Sequence, residues 1–142
     1  MNRRTVLRSL ALLTTGFAGC GGSGQRETGY GDWFENVANF EGTVDRTGRE
    51  SVRVAVGAQG NGGGFAFEPA AVAVSPGTVI DWVWTGVGGE HNVVAEDGSF
   101  SSEYARSEGY TYSRQFDQGG VHLYYCKPHV SLGMKGAIRV DG

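Results

Sequence analysis

Two segments of the chain alternate apolar and polar residues with a period of two. The first, Val52–Val56, has a valine at every second position, and the second, Thr78–Trp84, places Ile80, Trp82 and Trp84 on one side. Because successive side chains of a strand point to opposite faces, this alternation predicts two half-buried β-strands. The apolar faces of both strands should line a common core.

Shorter apolar segments, bounded by glycine-rich turns, predict the remaining strands. These segments lie at residues 65–67, 71–74, 91–95, 110–116, 121–126 and 137–140. Most of them follow one another without an intervening run of helical period. The pattern therefore predicts an all-β domain, an antiparallel β-sandwich of seven to eight short strands.

One segment ahead of these strands has a different pattern. In residues 32–40, Trp33, Val37 and Phe40 would share one face of a helix, and Asp32 is a suitable N-cap. The segment is compatible with a short amphipathic helix that precedes the sandwich.

The composition agrees with a single turn-rich β domain. The chain has 142 residues, 25 of them glycine, and only 19% are charged. The net charge is -3, and it falls to -6 without Arg3, Arg4 and Arg8 near the start of the chain. With this charge and no cluster of lysine and arginine, nucleic acid is not expected as a partner.

Residues 1–19 have the features of an export signal. Arg3-Arg4 resembles the start of a twin-arginine signal, and an apolar run follows from Leu10 to Ala18. That run is too short to span a bilayer, for which roughly 20 residues are needed. We therefore expect the protein to be exported.

The segment Phe17–Cys20 resembles a lipobox, whose cysteine becomes the lipidated first residue of the mature protein. Residues 20–41 would then form a flexible tether with the possible short helix, and 42–142 the folded domain. This arrangement would anchor the protein to the outer face of the cytoplasmic membrane. An ordinary signal that is cut elsewhere, with Cys20 discarded, is the alternative.

Four residues predict a metal site. Cys126, His129 and Met134 follow one another in one loop with the spacing Cys-x2-His-x4-Met, and His91 lies upstream on another predicted strand. A thiolate and two imidazoles with a weak axial thioether form the ligand set of a blue copper electron-transfer site. We therefore expect one type 1 copper ion that alternates between Cu(I) and Cu(II). A bound metal would also explain a lone thiol in an exported protein.

Two neighbouring residues are predicted to support this site. Asn92, directly after His91, is a candidate for fixing the Cys126 loop through side-chain hydrogen bonds, with a simple turn as the alternative. Pro128 should hold Lys127 in an extended conformation and removes a backbone donor near the sulfur. Of the two histidines, His129 is expected to reach the surface, where apolar neighbours would form a partner patch.

The third histidine, His122, is not assigned to the metal. It shares a strand face with Cys126, but it lies about four residues from the end where the ligands gather, roughly 13 Å at the rise of a strand. A structural or surface role is favoured for it.

Other functions need residues that the chain lacks. It has only 3 histidines, too few for the additional copper centres of a multicopper oxidase or a nitrite reductase. A zinc site could use Cys126, His91 and His129 but would leave Met134 unexplained. We therefore do not expect an enzyme. A copper delivery or storage lipoprotein without a redox-carrier role remains the alternative.

The chain also closely resembles the small type 1 copper proteins: plastocyanin, pseudoazurin and especially the halocyanins of haloarchaea. The resemblance covers about residues 42–142, and its most similar segments are 60–69, 75–79, 82–86, 90–94 and 124–129. It implies a cupredoxin-like sandwich with mixed, Greek-key connections, and copper ligands at His91, Cys126, His129 and Met134. It further implies a monomer of archaeal origin that shuttles electrons between redox proteins of the membrane respiratory chain.

Overall fold

The computed structural model describes residues 29–142. The predicted export signal, Cys20 and the first part of the predicted tether lie outside the described residues. Within residues 29–142, no helix has both the length and the apolar character that crossing a bilayer requires.

Short strands make up most of the described part of the chain. They are β1 (Val44–Asp45), β2 (Ser51–Gly60), β3 (Gly63–Glu68), β4 (Ala71–Val74), β5 (Thr78–Trp84), β6 (Val94–Ala95), β7 (Thr111–Phe116), β8 (Gly120–Tyr125) and β9 (Lys135–Val140). A short 3₁₀ helix, Lys127–Leu132, connects β8 to β9.

The strands form two mixed sheets. One sheet has five strands in the order β1-β4-β9-β8-β6, and the other has four in the order β3-β2-β5-β7. The pairs β1–β4, β4–β9 and β2–β5 are parallel, and the other pairs are antiparallel. The predicted all-β sandwich is confirmed, and its mixed pairing is the one that the family resemblance implied.

The core lies between the two sheets. Val54, Ile80 and Trp82 from β2 and β5 are completely buried, and so are Val72 and Ile138 from β4 and β9. These side chains form one continuous apolar cluster. The alternation in the sequence therefore marks the core-facing side of both strands, as predicted.

The strand count differs slightly from the prediction. β1 has only two residues, Val44–Asp45, so it leaves no periodic signal in the sequence. The predicted strand at 91–95 is reduced to Val94–Ala95, because His91 pairs instead with Ala105 in an isolated bridge. Nine strands are present in residues 29–142 where seven or eight were expected.

The predicted helix at residues 32–40 is wrong. This segment forms successive turns, in which the amides of Trp33, Val37 and Phe40 donate to carbonyls three residues earlier over 3.1–3.3 Å. A helix of this length is marginal on its own, so packing decides the conformation. Tyr30 and Phe34 are buried against β4 and β9, and the turns allow this. We call residues 30–40 the strap.

Candidate metal centre

The structure brings three of the predicted ligands together at one end of the sandwich. The donor atoms of His91, Cys126 and His129 all lie within 4.8 Å of one another. Both imidazoles turn Nδ1 toward the sulfur, at 3.7 Å for His91 and 3.6 Å for His129. The cluster joins two loops that are 35 residues apart in the chain.

His91 is held by three hydrogen bonds with two residues. Its backbone N–H donates to Ala105 over 2.9 Å, and its carbonyl accepts from the same residue over 3.0 Å. Its Nε2 lies 2.8 Å from the carbonyl oxygen of Val87. Because a carbonyl can only accept, Nε2 carries the proton and Nδ1 offers a lone pair toward Cys126. This contact orients the ring for metal binding.

The loop that supplies Val87 depends on close backbone contacts. The hydroxyl of Thr85 donates to Gly57 over 2.8 Å and accepts from the amide of Val87 over 3.1 Å. Gly88 has a φ of +89°, and a Cβ there would collide with the carbonyl oxygen of Gly64. This role of the loop was not predicted from the sequence, although its run of glycines was a visible signal.

Cys126 and His129 lie on either side of the start of the 3₁₀ helix. Cys126 is extended, with φ -100° and ψ 120°, and its carbonyl accepts from the amide of His129 over 3.2 Å. Lys127 begins the helix, so the prediction that Pro128 holds Lys127 extended is wrong. Pro128 lies in the first turn, where its missing N–H costs no helical hydrogen bond.

Asn92 links the two halves of the site. It is 4% exposed, and its side-chain oxygen accepts from the backbone N–H of Lys127 over 2.9 Å. The hydrogen bond that was expected between Asn92 and the Cys126 loop is present. It fixes the residue after the thiol to the residue after His91.

Met134 is completely buried beside the cysteine loop. Its carbonyl accepts from the amide of Cys126 over 3.0 Å, and its amide donates to His129 over 3.3 Å. Gly133, just before it, has a φ of +102°, which turns the chain back toward the core. The backbone of Met134 is thus bonded to two members of the cluster.

Burial controls the protonation of the three donors. Burial raises the pKa of the Cys126 thiol, although backbone amides of Asn92 and His129 partly oppose this effect. Burial also lowers the pKa of His91, and the Val87 carbonyl opposes that shift. The pKa of His129 is lowered by burial alone. Without a metal, the cluster therefore consists of a neutral thiol and two neutral imidazoles near pH 7.

The donor set fits a soft, trigonal metal ion. Bond lengths of about 2.3 Å to sulfur and about 2.0 Å to nitrogen, at trigonal angles, separate sulfur and nitrogen by about 3.7 Å. The distances from the sulfur of Cys126 to His91 and His129 are 3.7 and 3.6 Å. A thiolate with two imidazoles is a set that copper prefers over hard cations.

One contributor to the site was not predicted from the sequence. The ring of Phe65 packs against the imidazole of His129, with 4.6 Å between the centroids. Phe65 lies in a short apolar run that the sequence marks only as a strand, so its partner depends on the tertiary fold.

His122 lies elsewhere, as expected. Its Nε2 is 3.0 Å from the carbonyl oxygen of Gln118, and its ring contacts Phe116. It borders a surface pocket of about 350 Å³ together with Asp97 and Arg114. In the described part of the chain it is not a member of the metal-binding cluster.

A sandwich of two mixed sheets with one thiol and two imidazoles gathered at its end defines the class of type 1 cupredoxins. A family model described as copper binding proteins of the plastocyanin/azurin family matches residues 52–141. The chain belongs to this plastocyanin/azurin family of copper-binding proteins.

Individual relatives agree with this membership. A halocyanin of Natronomonas pharaonis is 47% identical over 106 residues, covering 72% of this chain and 64% of the halocyanin. A plastocyanin of Scenedesmus fuscus is 34% identical over 100 residues, covering 63% of this chain and 99% of the plastocyanin. The chain thus spans slightly less than two thirds of the halocyanin's length.

Solved structures show the same architecture. A pseudoazurin from Sinorhizobium has a TM-score of 0.51 and 28% identity, and the match covers 66% of this chain and 76% of the pseudoazurin. A mutant plastocyanin of fern has a TM-score of 0.54 and 24% identity, over 63% of this chain and 100% of the plastocyanin. The second likeness concerns the fold alone.

Proposed function

We propose that this protein is a type 1 copper electron-transfer protein that carries one electron at a time. His91, Cys126 and His129 would hold the copper ion through two imidazole nitrogens and a thiolate, and Met134 would contribute a weak thioether ligand. One observation supports this assignment most strongly: both Nδ1 atoms lie 3.6–3.7 Å from the sulfur, at the separation that a trigonal site needs.

Copper would supply a one-electron couple when it is bound, and the protein supplies a frame that its core and its backbone hydrogen bonds hold in place. Cys126 and Met134 are completely buried in the core between the sheets. The backbone bonds of His91 to Ala105, and of Met134 to Cys126 and His129, fix the loops to the sandwich. A fixed frame suits electron transfer because little must move when the charge changes.

The electron would leave through His129. His91 is completely buried, whereas His129 is partly exposed. Val87 and Leu132, in the loops that carry the two histidines, are 51% and 48% exposed. Exposed apolar side chains of this size favour a partner surface, and both lie in the loops that carry the two histidines. A redox protein that docks on this surface would approach the copper closely.

Delivery to the membrane surface is part of the proposal. Residues 1–19 would direct export and Cys20 would carry the lipid. Residues 20–41, which end in the strap, would link Cys20 at the outer face of the membrane to the domain at 42–142. Redox donors and acceptors of the respiratory chain would then be its partners. The similarity to a halocyanin of Natronomonas pharaonis supports an exported protein of archaeal origin.

Voltammetry of the copper-loaded full chain tests electron carriage. We expect a reversible one-electron wave and copper that stays bound in both oxidation states during repeated cycling. Irreversible reduction with loss of Cu(I) to a competing chelator would contradict the proposal and favour copper delivery. Met134→Leu is the informative variant, because it should keep the wave reversible but shift its potential.

A further inference from the structure

The strap contacts the residues on both sides of Met134. The indole N–H of Trp33 donates to the carbonyl of Gly136 over 3.0 Å. The ammonium group of Lys135 donates to the carbonyl of Trp33 over 3.3 Å and lies 4.8 Å from the centre of its ring. Before Met134, the carbonyl of Asn36 lies so close to Gly133 that a side chain there would collide with it.

The strap is itself fixed to the sandwich. The rings of Phe34 and Phe40 stack 4.1 Å apart, and Phe34 is buried against β4 and β9. The amide of Ala38 donates to the side chain of Asn61 over 2.8 Å, and Asn39 donates to the carbonyl of Phe67 over 2.8 Å. These contacts make the strap a fixed support for the loop that carries Met134.

This support lies outside the part of the chain that the family model matches. The strap occupies residues 30–40, whereas the match begins at residue 52. The sandwich alone therefore does not account for all the contacts around Met134. The strap forms the C-terminal part of the segment predicted as a tether, residues 20–41.

We propose that the strap positions Met134, with Trp33 as the main positioning residue, and that it thereby helps to set the redox potential of the copper site. The thioether is the weak and long axial ligand of such a site, and this ligand tunes the potential. A small displacement of the loop would change the contact of copper with the Met134 thioether more than its contacts with the thiolate and the two imidazoles. The redox part of this inference rests on the proposed function, but the positioning part does not.

Hydrogen exchange of the copper-free full chain tests the positioning. Trp33→Phe keeps an aromatic ring but removes the donor to Gly136. We expect the amides of Cys126 and Met134 to exchange about fivefold faster, as for the loss of one hydrogen bond near them. The matched control is Tyr30→Phe, which removes a hydroxyl that bonds Thr43 over 2.9 Å in the same strap, away from the ligand loop. It should leave both amides unchanged.

The copper-loaded variants test the redox part. For Trp33→Phe we expect at least a threefold change in the ratio of Cu(II) to Cu(I) affinity, about 28 mV at 59 mV per tenfold. Tyr30→Phe should keep the wild-type potential. An unchanged potential in a blue Trp33→Phe protein would overturn the proposal.

The exchange data can also overturn it. Unchanged protection of Cys126 and Met134 in Trp33→Phe, or equal changes in both variants, would show that the strap does not position the loop. A loss of protection spread equally over β2 and β5 would show general destabilisation instead. If the two amides alone loosen in a protein that binds no copper, the positioning stands and the proposed function fails.

Discussion

Each donor atom at the copper site has its protonation set by its surroundings. The carbonyl of Val87 fixes the proton of His91 on Nε2, and burial keeps both imidazoles neutral. Burial also keeps the Cys126 thiol protonated in the absence of metal, since its pKa is raised above the usual 9.0. The thiol must therefore lose its proton when copper binds.

Copper binding should release one proton per ion at pH 7. His91 and His129 are already neutral there, because their pKa values lie below the usual 6.5, so only Cys126 contributes. Affinity should fall about tenfold for each pH unit of acidification below the pKa of the thiol, and more steeply once the imidazoles also protonate. A pH-stat titration of the copper-free chain with Cu(II) measures the release.

Cys126→Ser is the control for this titration, because a serine hydroxyl keeps its proton at pH 7. Its titration should show no stoichiometric release. Two protons per ion in the wild type would mean that an imidazole is charged before copper arrives, which would contradict the lowered pKa values of His91 and His129.

For individual residues of the site, the sequence predicted the ligand types well and their local conformation less well. The spacing of Cys126, His129 and Met134 and the pair His91-Asn92 identify the chemistry directly. The predicted extended conformation of Lys127 was wrong. Residues before proline usually are extended, but Lys127 begins the 3₁₀ helix that carries His129. The partner of His91, Val87, depends on a loop conformation that no periodicity encodes.

In the loop before His91, the backbone at Gly88 leaves no room for a side chain. A Cβ at Gly88 would lie 2.9 Å from Nε2 of His91 and would collide with Gly64, whereas a Cβ at Gly89 meets nothing within 4 Å. Both glycines have a positive φ, +89° and +82°. They therefore form a matched pair that separates backbone strain from steric collision.

Gly88→Ala should destabilise the copper-free protein by about 1–3 kcal/mol more than Gly89→Ala. Both variants share the cost of alanine at a positive φ, but only the first displaces the carbonyl that orients His91. Urea unfolding followed by tryptophan fluorescence measures the difference. Equal free energies of unfolding for the two variants would contradict the close contact.

The strands and the strap differ in how well the sequence predicts them. β2 and β5 were predicted because each alternates over its core-facing length, with Val54 and Trp82 completely buried. The strap was predicted as a helix from three apolar positions, yet it forms turns that bury Tyr30 and Phe34 in addition to Val37. A short segment takes the conformation that its packing surface selects, and that surface is formed by residues distant in sequence.

For the molecule as a whole, the two ends of the sandwich should differ in function. His129, Val87 and Leu132 lie at the copper end, whereas Ser51 lies at the other end, where β2 begins opposite the start of β5. If redox partners dock at the copper end, a charge introduced there should slow electron exchange, whereas the same charge at the far end should not affect it.

Leu132→Glu should slow electron self-exchange between oxidised and reduced copies at least about tenfold, because two like charges would meet across the contact. Ser51→Glu adds the same charge at an exposed position of the far end and should leave the rate unchanged. NMR line broadening in mixtures of the two oxidation states measures the rate. Equal rates in the wild type and Leu132→Glu would contradict this docking surface.

The visible spectrum of the full chain with Cu(II) shows directly whether Cys126 holds a type 1 copper ion. We expect an intense blue thiolate-to-copper absorption in the wild type and its complete loss in Cys126→Ser. A colourless wild-type protein, or a blue colour that survives in Cys126→Ser, would rule out this copper site.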